Sequence, residues 1–141
     1  MLFNTSHKNK AYTTKSIEVL GNAFSLLEKI KRGGVGSSRL IIKELSTKLQ
    51  PINAQTIDDN FANIELRPKG IIIHFTNRLD RYSWIIPYYR LVVYRTKTFT
   101  IHANGHFIKF NKDKNYLANK KFINKMMDSK IEFLDLDYYD G

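Results

Sequence analysis

Residues 81–95 read RYSWIIPYYRLVVYR: one tryptophan, four tyrosines, three arginines and no acidic residue. A half-buried strand alternates apolar and polar side chains, and this run does not alternate on either side of Pro87. Apolar residues on both faces require cover on both sides. Proline has no N–H for a central ladder, so either one strand bends at Pro87 or two strands meet there. Large aromatics belong in cores, and the run is expected to be mainly core, with its arginines reaching out. A chain of 141 residues has the size of one domain that buries roughly two-thirds of its unfolded surface.

The natural cover lies N-terminal. From Thr14 to Arg32, Ile17, Leu20, Phe24 and Leu27 recur at three and four, with Ala23 and Ile30 widening the stripe, which predicts an amphipathic helix stopped by RGGVGSS. Ser37 or Ser38 caps an expected second helix with Ile41, Leu45 and Leu49 on one face, ended by Pro51. INAQTIDDN then reads as connection.

Strands follow, marked by two turns. In FANIELRPKGIIIHFTN, Pro68 and Gly70 suit a turn that sets Leu66 opposite Ile71, Ile64 opposite Ile73 and Ala62 opposite Phe75. A slip of one residue would turn Glu65 and Asn63 onto the apolar face. Asn104-Gly105, between TFTIHA and HFIKF, is the preferred chemistry of a two-residue hairpin and gathers Phe99, Ile101, Ile108 and Phe110 on one face. Asn115 or Asn119 caps a closing helix with Phe122, Ile123, Met126 and Met127 on one side and Lys120, Lys121 and Lys125 on the other. IEFLDLDYYDG alternates, as an extra edge strand or a loose tail would.

The expected fold is therefore α+β: two N-terminal helices, then a bent antiparallel sheet of five to six strands, a roll or half-barrel, closed by a C-terminal helix. Residues 1–13 read as a flexible basic arm and 14–141 as a single globular domain with an acidic tail.

Charge bears on partners. The formal balance is +10, with sixteen Lys and seven Arg. Lys, Asn and Ile codons are AT-rich, so the distribution of charge is a better guide than its total. Basic residues outnumber acidic ones nine to three over Met1–Gln50 and six to one over Ile101–Lys125, and the sign reverses from Asp128 onward. Such a surface attracts nucleic acid, an anionic membrane face or an acidic protein. Without cysteine there is no disulfide, thiolate metal site or cysteine nucleophile. The N-terminus has no apolar stretch of secretory-leader length, and Tyr82–Tyr94 is too short for a spanning helix, so the expectation is a cytoplasmic protein with, at most, peripheral membrane contact.

Chemical motifs are sparse. His102 and His106 straddle the Asn-Gly turn and point to opposite faces, and His74 stands alone. Asp135 and Asp137 share a face if extended, with Asp140 near, but a terminal acidic cluster reads as solvated charge. KRGGVGSSR resembles an anion-binding loop between Arg32 and Arg39, yet no Gly-Lys-Ser/Thr occurs and a helix precedes it. No serine sits in a nucleophile elbow, so no catalytic, cofactor or metal residue is named.

YSWIIPYYRL, FTIHANGHFIKF and the helix around NKKFINKMM, over about residues 61–127, resemble the second half of bacterial pleckstrin-homology-like domains. The resemblance implies a bent antiparallel sheet plugged at one end by a C-terminal helix, and a binding or assembly module without catalysis. Residue chemistry supports the same class: a non-enzymatic module for an anionic partner, with Arg32, Arg39, Arg90, Arg95, Lys109, Lys120, Lys121 and Lys125 as candidate contacts and no cofactor. A homo-oligomer is compatible with it. The rival is single-stranded nucleic-acid binding, with Tyr82, Tyr88, Tyr89 or Tyr94 stacking bases. A phosphate-handling enzyme built from the glycine loop and acidic tail is a third class.

Overall fold

The computed structural model describes residues 1–49, 61–77 and 80–140. In chain order these form β1 (Leu2–Asn4), α1 (Lys10–Leu20), α2 (Leu26–Lys31), β2 (Leu40–Leu45), β3 (Phe61–Arg67), β4 (Gly70–Asn77), β5 (Asp80–Pro87), β6 (Val92–Arg95), β7 (Phe99–Ala103), β8 (His106–Phe110), α3 (Lys114–Ala118) and α4 (Lys120–Asp140). All eight strands join one antiparallel sheet in the order β1-β5-β4-β3-β2-β8-β7-β6. This corrects the expected fold: among the described residues the sheet has eight strands rather than five or six, and four helices accompany it.

The two turn signals place their strands as expected. Leu66 faces Ile71, Ile64 faces Ile73 and Ala62 faces Phe75. At the second hairpin Phe99 faces Phe110 and Ile101 faces Ile108, with Asn104 at φ 52° and Gly105 at φ 80°. At Pro87 two strands meet: β5 ends there, a 3-10 turn over Tyr88–Arg90 follows, and β6 begins at Val92.

The second expected helix is a strand. Leu40, Ile42 and Leu45 point inward, and the register shifts between Ile42 and Glu44. Such a bulge puts one extra residue between inward positions, so the spacing lengthens from two to three and imitates a helical stripe. Leu40 and Ile41 pair with β3, Ile42 to Leu45 with β8, and β2 thereby joins the two halves of the sheet. INAQTIDDN lies outside the described residues. Leu2–Asn4, read as part of a basic arm, pair with β5 at the sheet edge.

The first expected helix breaks. Gly21, at φ 83°, ends α1, and the Ser25 hydroxyl caps α2 by accepting from the Glu28 N–H. The two pieces then differ in burial. Leu20 and Val19 of α1, with Tyr12, pack on Ile72 and Ile85 and cover the outer face of β4 and β5. In α2, Leu26, Leu27 and Ile30 stay exposed, so this helix does not serve as the cover its apolar residues predict.

The inner face holds the main core. Ile64, Ile73, Trp84 and Ile86 meet Phe99, Ile101, Ile108 and Phe110, and Tyr116, Phe122, Ile123 and Met126 close one side. Burying a side chain of this size contributes roughly 1.5–3 kcal/mol. The alternating C-terminal segment is helical, not extended: α4 runs to Asp140, and Phe133 carries its inner stripe onto the Tyr88 ring at 5.7 Å. The extended conformation that would set Asp135 and Asp137 on one face is thus not the one this segment adopts. Asn119, buried between α3 and α4, accepts from the Ser38 N–H and hydroxyl at 3.0 and 3.1 Å, tying the helical end to the start of β2.

Candidate functional site

On the outer face of the sheet, beside Tyr12 of α1, lies a group of polar side chains. Cross-strand register sets Asn63 beside His74, His74 beside Ser83, and Ser83 beside Phe3. Glu65 lies two residues along β3 from Asn63 and therefore on the same face. These residues form a hydrogen-bonded series. Ser83 Oγ lies 2.7 Å from His74 Nδ1 and 2.8 Å from Thr5 Oγ1, His74 Nε2 lies 3.0 Å from Glu65 Oε1, and Arg67 Nε donates to Glu65 Oε2 at 2.5 Å. Arg67 also donates through Nη1 to the carbonyl of Gly21 at the end of α1.

Burial pushes the Glu65 carboxyl up. Hydrogen bonds from His74 and Arg67, with the Arg67 charge, outweigh that and hold it at about 2 against an ordinary 4.5. Glu65 is thus a fixed anion already held by its neighbours. Glu, His and Ser in series have the composition and bonding order of a nucleophilic triad, but the serine is closed to a substrate. Ser83 is fully buried and its hydroxyl is shared between His74 and Thr5. The series is a rigid polar floor.

Cations stand around that floor. A groove of about 360 Å³ is lined by Arg39, Phe61, Asn63, His74, Thr76 and Arg81. An adjoining one shares Asn63, His74 and Arg81 and adds Lys29 and Ser37. Arg39 lies just before β2, with its guanidinium 4.1 Å from the Phe61 ring centre, and Arg81 lies on β5 opposite Thr76. Among the described residues neither arginine has a carboxylate within 4.0 Å. Glu65, the one acidic residue lining either groove among the described residues, is already paired.

Of the contacts named from sequence, Arg39 alone lines these two grooves. Arg32 ends α2, 4.3 Å from the Phe24 ring centre and 3.6 Å from Glu28. Lys125 donates to the carbonyls of Gly33 and Gly34 and braces the glycine loop. Arg95 donates to Asn124, Arg90 sits 5.4 Å from the Tyr89 ring centre, and Lys109 pairs with Glu44 at 3.2 Å. Lys120 and Lys121 are exposed at the start of α4. Arg81, Lys29, Asn63 and His74 were missed: the first lies 42 positions from Arg39, and no local pattern joins them.

The glycine loop does not present a ring of donors. Its N–H groups at Gly33, Gly34, Ser37 and Ser38 donate to Ile30, Lys29, Ile64 and Asn119. Among the described residues no three His, Asp or Glu side chains converge as a metal site requires; the side chains of Asp137 and Asp140 lie outside them.

The aromatic run is core only in part: Ser83–Tyr88 and Leu91 are buried and the rest is half-buried or exposed. Trp84 and Tyr88 are each 1% exposed, and Tyr82 stacks on Phe75 at 5.7 Å. Tyr89 and Tyr94 are exposed. Tyr94 instead belongs to a row across β6, β7 and β8, where it meets His102 at 5.2 Å and His102 meets Phe107 at 5.3 Å. Among the described residues no helix is long and apolar enough to cross a membrane. No family model, curated protein or solved structure matches the chain.

Proposed function

We propose that this protein is a non-enzymatic binding module that takes an anionic group of its partner, a phosphate or carboxylate, between Arg39 and Arg81. The observation that carries this reading is the pair of arginines beside one groove, neither with a carboxylate partner among the described residues. Guanidinium forks bind planar oxyanions in two-pronged fashion, and the rigid Asn63–His74 floor lowers the ordering cost of such contacts. The burial of Ser83 supports binding without chemistry.

Calorimetric titration with inorganic phosphate and with a hexaglutamate peptide tests it. The native protein is expected to bind at least one of them, more weakly in high salt, and Arg39→Gln with Arg81→Gln to lose on the order of tenfold or more, taking about 1.5–3 kcal/mol for hydrogen bonds to charged groups. No binding of either, or equal binding by the double variant, overturns the reading.

A second reading is single-stranded nucleic-acid binding, favoured by the Tyr94, His102 and Phe107 row with Lys109 Nζ 5.5 Å from the Phe107 ring centre. It predicts that oligothymidylate binding falls in Tyr94→Ala with Phe107→Ala and survives in the arginine double variant. The converse pattern assigns polyanion binding to the groove.

A further inference from the structure

The side chains least explained by the fold are those of α2. Leu26, Leu27 and Ile30 are 75%, 62% and 68% exposed, on a helix of six residues. Isolated exposed aliphatics are ordinary, but three on one short element form a contiguous patch. At about 100° per residue the wheel orders them: Leu26 at 0°, Ile30 near 40° and Leu27 near 100°. On the same wheel Lys31 follows near 140°, Lys29 precedes near −60°, and Glu28 is near 200° on the back. The apolar arc is thus edged on both sides by lysine. Glu28 is turned away from it and pairs with Arg32.

The helix is braced from behind. Phe24 packs against the main core, Arg32 lies over its ring, and Lys125 holds the carbonyls of Gly33 and Gly34 just past the helix end. A helix with an apolar arc, a lysine at each edge and its only acid on the opposite side has the charge and polarity of an element that lies in an anionic lipid interface. The aliphatic side chains enter the acyl boundary and the lysine heads reach back to the phosphates.

From these observations we infer that α2 docks the protein on an anionic lipid bilayer, with Leu26, Leu27 and Ile30 inserted and Lys29 and Lys31 at the headgroup level. Two features weigh against a second copy of the chain as the occupant. A symmetric contact would bring Lys29 and Lys31 of both copies to one seam. Three side chains also offer only a fraction of the about 800 Å² per partner that a stable interface buries. The inference goes beyond the arginine groove and shares with its surroundings only Lys29, which also lines the adjoining groove.

Vesicle sedimentation tests it, with vesicles of pure phosphatidylcholine and of phosphatidylcholine with phosphatidylglycerol. The native protein is expected to sediment with the anionic vesicles in low salt and not with the neutral ones. Leu27→Ser with Ile30→Ser lowers the partition on the order of tenfold or more. Lys29→Gln and Lys31→Gln lower it about fivefold each. All these side chains are exposed, and unchanged emission of the buried Trp84 verifies the fold of each variant. The Arg39→Gln, Arg81→Gln variant is expected to keep its neutral-versus-anionic preference and its dependence on Leu27 and Ile30, so a failed groove and a failed helix give different patterns. The inference is overturned by failure to sediment with anionic vesicles, by equal sedimentation with neutral ones, or by native-like partition of the Leu27→Ser, Ile30→Ser variant. It is also overturned if the native protein forms a concentration-dependent dimer that this variant abolishes, since the patch is then a self-interface.

Discussion

Replacing Glu65 with glutamine tests the polar floor at its centre. The carboxylate holds His74 on one oxygen and Arg67 on the other, and Arg67 is a buried cation whose other bond goes to the Gly21 carbonyl. The gap between an ordinary 4.5 and about 2 sets the size of the effect. At about 1.4 kcal/mol per pH unit it places a ceiling of about 3 kcal/mol on what ionised Glu65 contributes at neutral pH. The side chain is 29% exposed, and solvent screening brings this to about 2 kcal/mol. Because the carboxyl is depressed in the folded state, that stability is present above pH 4.5 and is lost as pH falls through about 2. Urea unfolding followed by Trp84 fluorescence, for native protein and Glu65→Gln, should therefore show a stability difference of about 2 kcal/mol at pH 7 that shrinks steadily below pH 4.5. A difference that keeps the same size from pH 7 to pH 2.5 would refute the linkage, and a variant as stable as the native protein at pH 7 would refute the network itself.

Two further perturbations probe other parts of the fold. A Cβ at Gly70 would lie 2.2 Å from the Ile86 carbonyl and 2.6 Å from Leu20, so Gly70→Ala should cost at least about 2 kcal/mol in urea unfolding; a change below half that value would mean that β4 and β5 separate easily. Burial pushes the Tyr88 hydroxyl up to about 12, with the Ser129 hydrogen bond and the Arg32 charge pulling the other way. Its contribution is therefore whole below about pH 10 and declines as pH rises through 12, so Tyr88→Phe should lose less stability than native protein between pH 10 and 12; parallel losses would refute it.

Turn chemistry and alternation made much of the sheet legible. Pro68, Gly70 and Asn104-Gly105 anchor two hairpins whose pairing follows by counting outward, and the structure holds those pairs. Two misreadings came from periods that fit more than one element. Ile41, Leu45 and Leu49 repeat at four, which suits a helix, yet in β2 the inward set is Leu40, Ile42 and Leu45, spaced unevenly by a bulge, and Leu49 falls in the 3-10 turn that follows. Leu134, Leu136 and Tyr138 alternate as in a strand, yet Phe122, Met126 and Phe133 already run at helical spacing and α4 continues through them. The break at Gly21 was missed because Phe24 and Leu27 continue the stripe of α1 by count while the chain turns away. The groove was the least legible feature. It needs Arg39 and Arg81 brought together by β2, β3, β4 and β5, and the register of β4 with β5 carries no strong turn signal between Asn77 and Asp80.

The position of β2 has a consequence for how the chain reaches this state. β3–β4–β5 and β6–β7–β8 are each local meanders that close over short loops, whereas β2 must find β8 across more than sixty residues. Loop closure is then the dominant entropic hurdle, and the β2–β8 ladder is expected to form after both meanders. Substitutions at Ile42 or Leu45 would accelerate unfolding while leaving the refolding limb of a chevron nearly unchanged.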